Sequence, residues 1–262
     1  MSPRDSGDEA VDWKSYLAEF HRTRAGVAEA VLARAHAGDH SPYRWLARAV
    51  SADAKVVVDL ACGSGPVSRE LAQPGRMAVG VDLSAAELAL AAERGPGPWL
   101  RADVLRLPFR NGSVDVVTSS MGLVVVTPLE QVLAEVARVL RPGGVLAAIA
   151  PAVRPLGPRD VRVLTRISGR LRTKPSFPGN VEIAGFHKAL DATGLTRVED
   201  KRERYHFSVR SREDAELMMS ALYLPNIRKS RVQAAVEYLE DRLKRRESVE
   251  VAIPMRRIVA IK

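Results

Sequence analysis

The ten residues Val56-Val57-Val58-Asp59-Leu60-Ala61-Cys62-Gly63-Ser64-Gly65 limit what this chain can fold into more than any other stretch. Three β-branched residues lead into an acid and then a turn holding two glycines, and a helical pattern follows from Pro66 to Leu71. β-Branched side chains suit a buried strand. Glycines at 63 and 65 allow a sharp turn and let a ligand approach backbone that carries no Cβ. Strand, glycine turn and helix in that order form the ligand-cradling corner of a doubly wound α/β fold.

The next ninety residues keep the same rhythm. Val56–Leu60 is the first strand and Met77–Val81 the second, which ends at Asp82. Ser84 caps a helix over Ala85–Arg94, and Glu87 at its third position completes a capping box. Gly95-Pro96-Gly97-Pro98 turns the chain into a short third strand, Trp99–Ala102, ending at Asp103. After the Asn111-Gly112 turn, Val114–Ser119 is the fourth strand. Val132, Leu133, Val136, Val139 and Leu140 share one face of a helix over Leu129–Leu140. Arg141-Pro142-Gly143-Gly144 ends that helix ahead of a fifth strand, Val145–Ala150. Alternation at this spacing predicts a parallel sheet with helices on both faces.

The flanks read differently. Residues 1–10 look like a loose tail, polar and charged rather than a signal peptide. A helical pattern runs from Val11 to Ala37: Trp13, Tyr16, Leu17 and Phe20 share a face, and Val27, Val31 and Leu32 continue the stripe past Gly26. Ser41 and Pro42 open a short helix reaching Val50. Past Pro151 the chain turns proline- and arginine-rich. A helix over Asp160–Leu171 sets Arg159, Arg162, Arg166 and Arg170 on one face and Val163, Ile167 and Leu171 on another. Ile183–Ala192 is a helix stopped at Gly194, and Leu195–Val209 a long charged strand. Glu213–Leu222 and Arg231–Arg245 are helices, and Val249–Ile261 is a closing strand whose start Pro254 places at an edge or bulge. This is one domain over 1–262: the tail, a helical lead-in 11–50, a ligand-binding core 51–151, a basic insert or lid 152–193, and C-terminal strands and helices 194–262.

Composition narrows the classes. A hydrophobic content of 46% excludes global disorder. No apolar run approaches the ~20 residues that cross a bilayer. Cys62 is the one cysteine, which excludes a disulfide framework and a cysteine zinc site. The expectation is a cytoplasmic protein with no membrane contact and no metal. The net charge of +9 is uneven: residues 1–149 hold 16 basic and 17 acidic side chains, residues 150–262 hold 24 and 14. That excess suits an anionic partner, RNA included, or simply a solvated surface.

Two ligands compete for the glycine turn. A nicotinamide or flavin dinucleotide suits Gly63-x-Gly65 and Asp82, but the third glycine of that fingerprint falls at Ser68, and Asp59 would repel a pyrophosphate. S-Adenosylmethionine has no phosphate and carries a sulfonium and an ammonium. Asp59 is then an asset, able to hold the ammonium directly or through water. Asp82 can accept both ribose hydroxyls, and Asp103 the adenine amine beside the Val104 amide. Three acids at three successive strand ends line the edge where ligands of this fold bind.

Residues 55–150 resemble a class I S-adenosylmethionine-dependent methyltransferase, in the broad group that includes the ubiquinone/menaquinone C-methyltransferases. The segments that carry the likeness are VVVDLACGSG, VGVDLS, RADVLRLPFRNGSVDVVTSS and LRPGGVL, in the expected order. The first glycine of the group's Asp-x-Gly-x-Gly-x-Gly pattern is Ala61 here. The resemblance implies a Rossmann-like seven-stranded sheet of order 3-2-1-4-5-7-6 with strand seven antiparallel. It implies a donor site at Asp59, Ala61, Gly63, Gly65, Asp82, Leu83, Asp103, Val104, Ser119 and Ser120.

The acceptor side is less marked. Tyr16, His21, Met121 and Tyr223 are candidates for lining its pocket, and none forms a recognisable catalytic pair. Cys62 has no histidine nearby in sequence and is not read as a nucleophile. The expected function is methyl transfer to a small or medium organic molecule. Two rivals stand beside it: an rRNA or tRNA methyltransferase using the Arg-rich face 159–170, and a non-catalytic partner subunit of the same fold.

Overall fold

A computed structural model describes residues 11–179 and 186–262. The tail 1–10 and the start of the helix expected at Ile183 lie outside the described residues. The lead-in forms α1 (Trp13–Thr23), α2 (Val27–Leu32) and α3 (Pro42–Ala47). The core follows as β1 (Val56–Leu60), α4 (Pro66–Glu70), β2 (Met77–Asp82), α5 (Ala85–Arg94), β3 (Trp99–Arg101), β4 (Val114–Ser120), α6 (Gly122–Val125), α7 (Leu129–Val139) and β5 (Leu140–Pro151). The remainder is α8 (Pro158–Leu171), α9 (Phe186–Ala192), β6 (Thr196–Val209), α10 (Arg212–Ser220), α11 (Lys229–Leu243) and β7 (Val249–Ile261).

All seven strands join one sheet in the order β3-β2-β1-β4-β5-β7-β6. The first five run parallel, and β7 lies antiparallel to both β5 and β6. Adjacent valines explain why the sheet is covered on both faces. Val57, with Val116 and Ile149, joins the cluster under α3 and α4, whereas Val58, with Val117 and Ala148, joins the cluster that includes α7 and α9. Side chains alternate across a strand, so a run of buried valines demands helices above and below. A third cluster ties α8, α10 and α11 to β6 and β7.

Several local expectations need correction. The lead-in helix breaks at Gly26, which takes φ +76°, and a Cβ there would meet Leu90 Cδ2 at 2.5 Å. Close packing of the lead-in on α5 therefore overrides the continuous apolar stripe. His36 and Ala37 leave the helix to make β-bridges with His206 and His40. Pro254 does not mark the start of β7. It sits inside the strand, where β5 stops pairing at Pro151↔Met255 and β6 alone continues alongside. A proline without an N–H is tolerated where one neighbour ends. The short α6 after β4 is not signalled by the residue pattern.

Candidate active site

The C-terminal ends of β1, β2, β3 and β4 share one edge, and parallel pairing sets their order along it. The turn after β1 is built on positive φ angles: Ala61 at +49°, Gly63 at +53° and Gly65 at +79°. Gly63 faces open space, where an added Cβ would meet nothing nearer than Glu87 Oε2 at 3.7 Å. Gly65 has a different task. A Cβ there would strike the Trp99 indole, and so would one at Gly80, at 2.5 Å. These two glycines make room for a buttressing tryptophan.

Asp59 lies beneath the turn. It is 1% exposed, and its carboxylate accepts from Thr118 Oγ1 at 2.8 Å and Ser68 Oγ at 3.1 Å. Burial pushes its pKa up to about 7, against those two hydrogen bonds. Its oxygens brace β4 and α4. Sequence reasoning misses both partners. Thr118 stands opposite Asp59 in the β1–β4 register, and a lone threonine in a valine-rich strand is the available signal.

Asp82 clasps the turn from the side. Oδ2 accepts from the Gly63 amide at 2.8 Å and Oδ1 from the Ser84 amide at 2.8 Å. Burial raises its pKa above the usual carboxylate range. Each oxygen retains a second lone pair for a ligand. The expected capping box is only half formed: Ser84 Oγ accepts from the Glu87 amide at 3.3 Å, but Asp82 already holds the Ser84 amide. The Glu87 carboxylate, on a residue 3% exposed, turns instead to the lead-in, where it accepts from the Gly26 amide at 2.9 Å and meets His21 Nδ1 at 2.9 Å.

Asp103 is exposed at the end of β3, with Oδ1 accepting from the Leu105 amide at 2.9 Å. Leu83 is 62% exposed and Val104 is buried. At β4 the two serines part. Ser119 is fully buried and donates to the Leu60 carbonyl at 3.1 Å, so it locks strands together. Ser120 points to the other face, and its buried Oγ has no hydrogen-bond partner within the protein. Met121 follows in the left-handed region, φ +66°, and caps α6. Gly122 then passes so near β1 that a Cβ would lie 2.8 Å from that of Ala61. Cys62 is buried, and burial together with Asp59 and Asp82 drives its thiol well above the ordinary range, so it is no nucleophile.

Above this edge the lead-in and the C-terminal region meet. Tyr16 Oη accepts from the Leu224 amide at 2.8 Å. His21 Nε2 meets Tyr223 Oη at 2.9 Å. Phe20 and Phe177 stack edge-on against Tyr223, with centroids 4.6 and 5.6 Å away. The acceptor candidates Tyr16, His21 and Tyr223 are thus neighbours, while Met121 packs with the cluster under α3 and α4. Among the described residues no acid–histidine–cysteine cluster could hold a metal ion. No described helix is long and apolar enough to cross a membrane.

Comparison with known proteins matches this layout. Residues 58–148 fit the family model of a methyltransferase domain. A demethylmenaquinone methyltransferase of Beutenbergia cavernae is 41% identical over 103 residues, 39% of this chain and 43% of that protein. A malonyl-[acyl-carrier protein] O-methyltransferase of Pectobacterium atrosepticum is 34% identical over 48% of this chain and 49% of its own length. The chain therefore spans less than half the length of these curated relatives. Among solved structures, geranyl diphosphate methyltransferase in complex with GPP and sinefungin superposes with a TM-score of 0.54 at 18% identity, covering 95% of this chain and 98% of that one. Residues 58–148 thus carry a methyltransferase domain, on the strand order of the class I fold, and S-adenosylmethionine is the methyl donor such a domain uses. Over that stretch the chain is similar to the demethylmenaquinone methyltransferases.

Proposed function

We propose that this chain transfers a methyl group from S-adenosylmethionine to a small or medium organic acceptor. The observation that carries the reading is the clasp of Asp82 on the Gly63 turn, flanked by exposed Asp103 and the partnerless Ser120 Oγ. The donor's ribose hydroxyls, adenine amine and ammonium are all hydrogen-bond donors, and this edge offers acceptors to match. In this assignment Asp82 receives the ribose, Asp103 and the Val104 amide the adenine, and the Gly63 turn with Ser120 the methionine end. Leu83 packs on the adenine, while Asp59, Ala61, Gly65 and Ser119 support the turn. Bound there, the donor supplies an activated methyl, and the protein supplies orientation and a dry site. Calorimetry with S-adenosylhomocysteine tests the assignment: binding is expected, and no heat at millimolar ligand would sink it.

One observation favours a second reading. Arg159, Arg162 and Arg166 are exposed along α8, and none has an ion-pair partner among the described residues. Asp160, the acid of that helix, is buried and spent on Arg204 and His206. Arg170 leaves the stripe to stack on Tyr238, 4.4 Å from the ring centroid. Three such guanidiniums on one face suit an RNA backbone acceptor. Salt-sensitive RNA binding lost on neutralising the three would support it, and absence of binding at low salt would end it.

A further inference from the structure

Three side chains that the donor site does not use converge above it. Tyr223 Oη, His21 Nε2, His21 Nδ1 and Glu87 Oε1 form a chain with two links of 2.9 Å, and the Gly26 amide anchors the other Glu87 oxygen at 2.9 Å. The residues are separated by 66 and 202 positions, so only the fold assembles them. Glu87 lies in the first turn of α5, five residues after Asp82, and its carboxylate carbon lies 3.9 Å from where a Gly63 Cβ would stand. Tyr223 also touches Phe177, whose segment is tied to α6, the short helix after β4, through the Gly179 amide on the Val124 carbonyl at 3.0 Å. The relay thus runs from α5, which follows β2, toward α6, which follows β4.

The protonation pattern follows from the partners. A carboxylate only accepts, so His21 Nδ1 carries a proton, and in the neutral imidazole that the relay starts from Nε2 presents a lone pair. Tyr223 donates its O–H to that lone pair and keeps its own lone pairs for another donor. The surroundings make a base useful. Asp82 and Glu87 flank the turn, while the nearby Arg69 and Arg94 are both paired to Glu29 at 2.5 and 2.7 Å. Arg24 is held on the Ser220 carbonyl and over the Phe20 ring. An acceptor that arrives as an anion is repelled here; it binds protonated and loses its proton inside.

Resting on the methyltransferase reading, we infer that Tyr223, His21 and Glu87 form a proton relay for an aromatic hydroxyl acceptor, with Tyr223 the catalytic residue and Glu87 a positioning residue. The acceptor O–H bond breaks as its proton passes to Tyr223 Oη, and the Tyr223 proton passes to His21 Nε2. The acceptor oxygen forms the new C–O bond with the sulfonium methyl, and the C–S electron pair stays on sulfur as a neutral thioether. The imidazolium stands against Glu87 and returns its proton to water after release. The Phe20, Tyr16 and Phe177 rings beside Tyr223 favour a flat acceptor.

The experiment has two arms on the full chain loaded with S-adenosylhomocysteine or its methyl-labelled parent. ¹⁵N-histidine NMR, with His21 assigned by its loss in His21→Gln, is expected to show the Nδ1–H tautomer, relaxed toward a mixture in Glu87→Gln. An Nε2–H tautomer in the wild type overturns the relay. In the second arm, label transfer is followed to 2-naphthol, 2-naphthylamine and 2-naphthalenethiol, which share a shape. Transfer to the naphthol is expected, with kcat falling about 100-fold in Tyr223→Phe and less in Glu87→Gln, and donor KM unchanged. Preferential labelling of the amine or thiol, an unaffected Tyr223→Phe variant, or no labelled naphthol despite S-adenosylhomocysteine binding overturns the relay alone. Failure of the wild type to bind S-adenosylhomocysteine overturns the donor reading and the relay with it.

Discussion

The Asp82 carboxylate accepts the Gly63 amide at 2.8 Å, so the acid at the end of β2 holds the shape of the turn at the end of β1. One side chain therefore serves both the architecture and the proposed ribose contact. Asp82→Ala is expected to lower S-adenosylhomocysteine affinity at least tenfold by calorimetry. It should also cost about 1–3 kcal/mol in denaturant unfolding, because buried amides lose an acceptor. Asp82→Asn keeps one acceptor oxygen and should fall between. Unchanged affinity in Asp82→Ala would remove it from the donor site.

Asp59 should make stability depend on pH. Its folded-state pKa is raised from 3.8 to about 7, so between those values the native chain holds a proton that the unfolded chain has released. Stability then falls as pH rises through that window and levels off above it. Asp59→Asn can keep both hydrogen bonds without the titration, its amide oxygen accepting from one of the Thr118 and Ser68 hydroxyls and its NH2 donating to the other. It should flatten the profile and gain on the order of a few kcal/mol over wild type at pH 8, and nothing at pH 4. Urea unfolding at both pH values measures the difference.

Gly80 and Trp99 are coupled by contact. Adding a methyl at Gly80 puts it 2.5 Å from the indole and 2.9 Å from Cys62 Sγ. Gly80→Ala is expected to cost about 1–3 kcal/mol through overpacking. In a Trp99→Leu background most of that cost should vanish, and the double-mutant cycle reads the coupling directly. Additive effects would mean the indole is not what Gly80 accommodates.

Ala61 holds φ +49° in the position where the group's pattern has glycine. The left-handed region costs an L-residue about 1–2 kcal/mol, and glycine's extra chain entropy returns part of it. Ala61→Gly should therefore stabilise the protein by about 0.5–1 kcal/mol, seen as a higher melting temperature with donor binding retained.

Much of the donor half is legible in the chain because it is local. The β-branched run, the paired glycines and the acids at Asp82 and Asp103 each follow from spacing within one βα unit. Glu87 is misread for the same reason. At the third position of a helix behind Ser84 it has a sufficient local explanation, and nothing in its neighbours points to His21. Asp59 is placed correctly on its strand, yet its partners Ser68 and Thr118 sit on other elements, and the bracing they give it is not visible in its neighbours.

The sequence by itself determined the strands and helices of the core and the chemistry of its glycine turn, since strand and helix periods and glycine turns are short-range properties of the backbone, while the order of the strands was implied only by the resemblance to the class I methyltransferases. Only the tertiary structure decided what each polar group spends its hydrogen bonds on. Residues 21, 87 and 223 meet because buried donors and acceptors must find partners wherever the fold brings them, and a linear spacing does not record that distance.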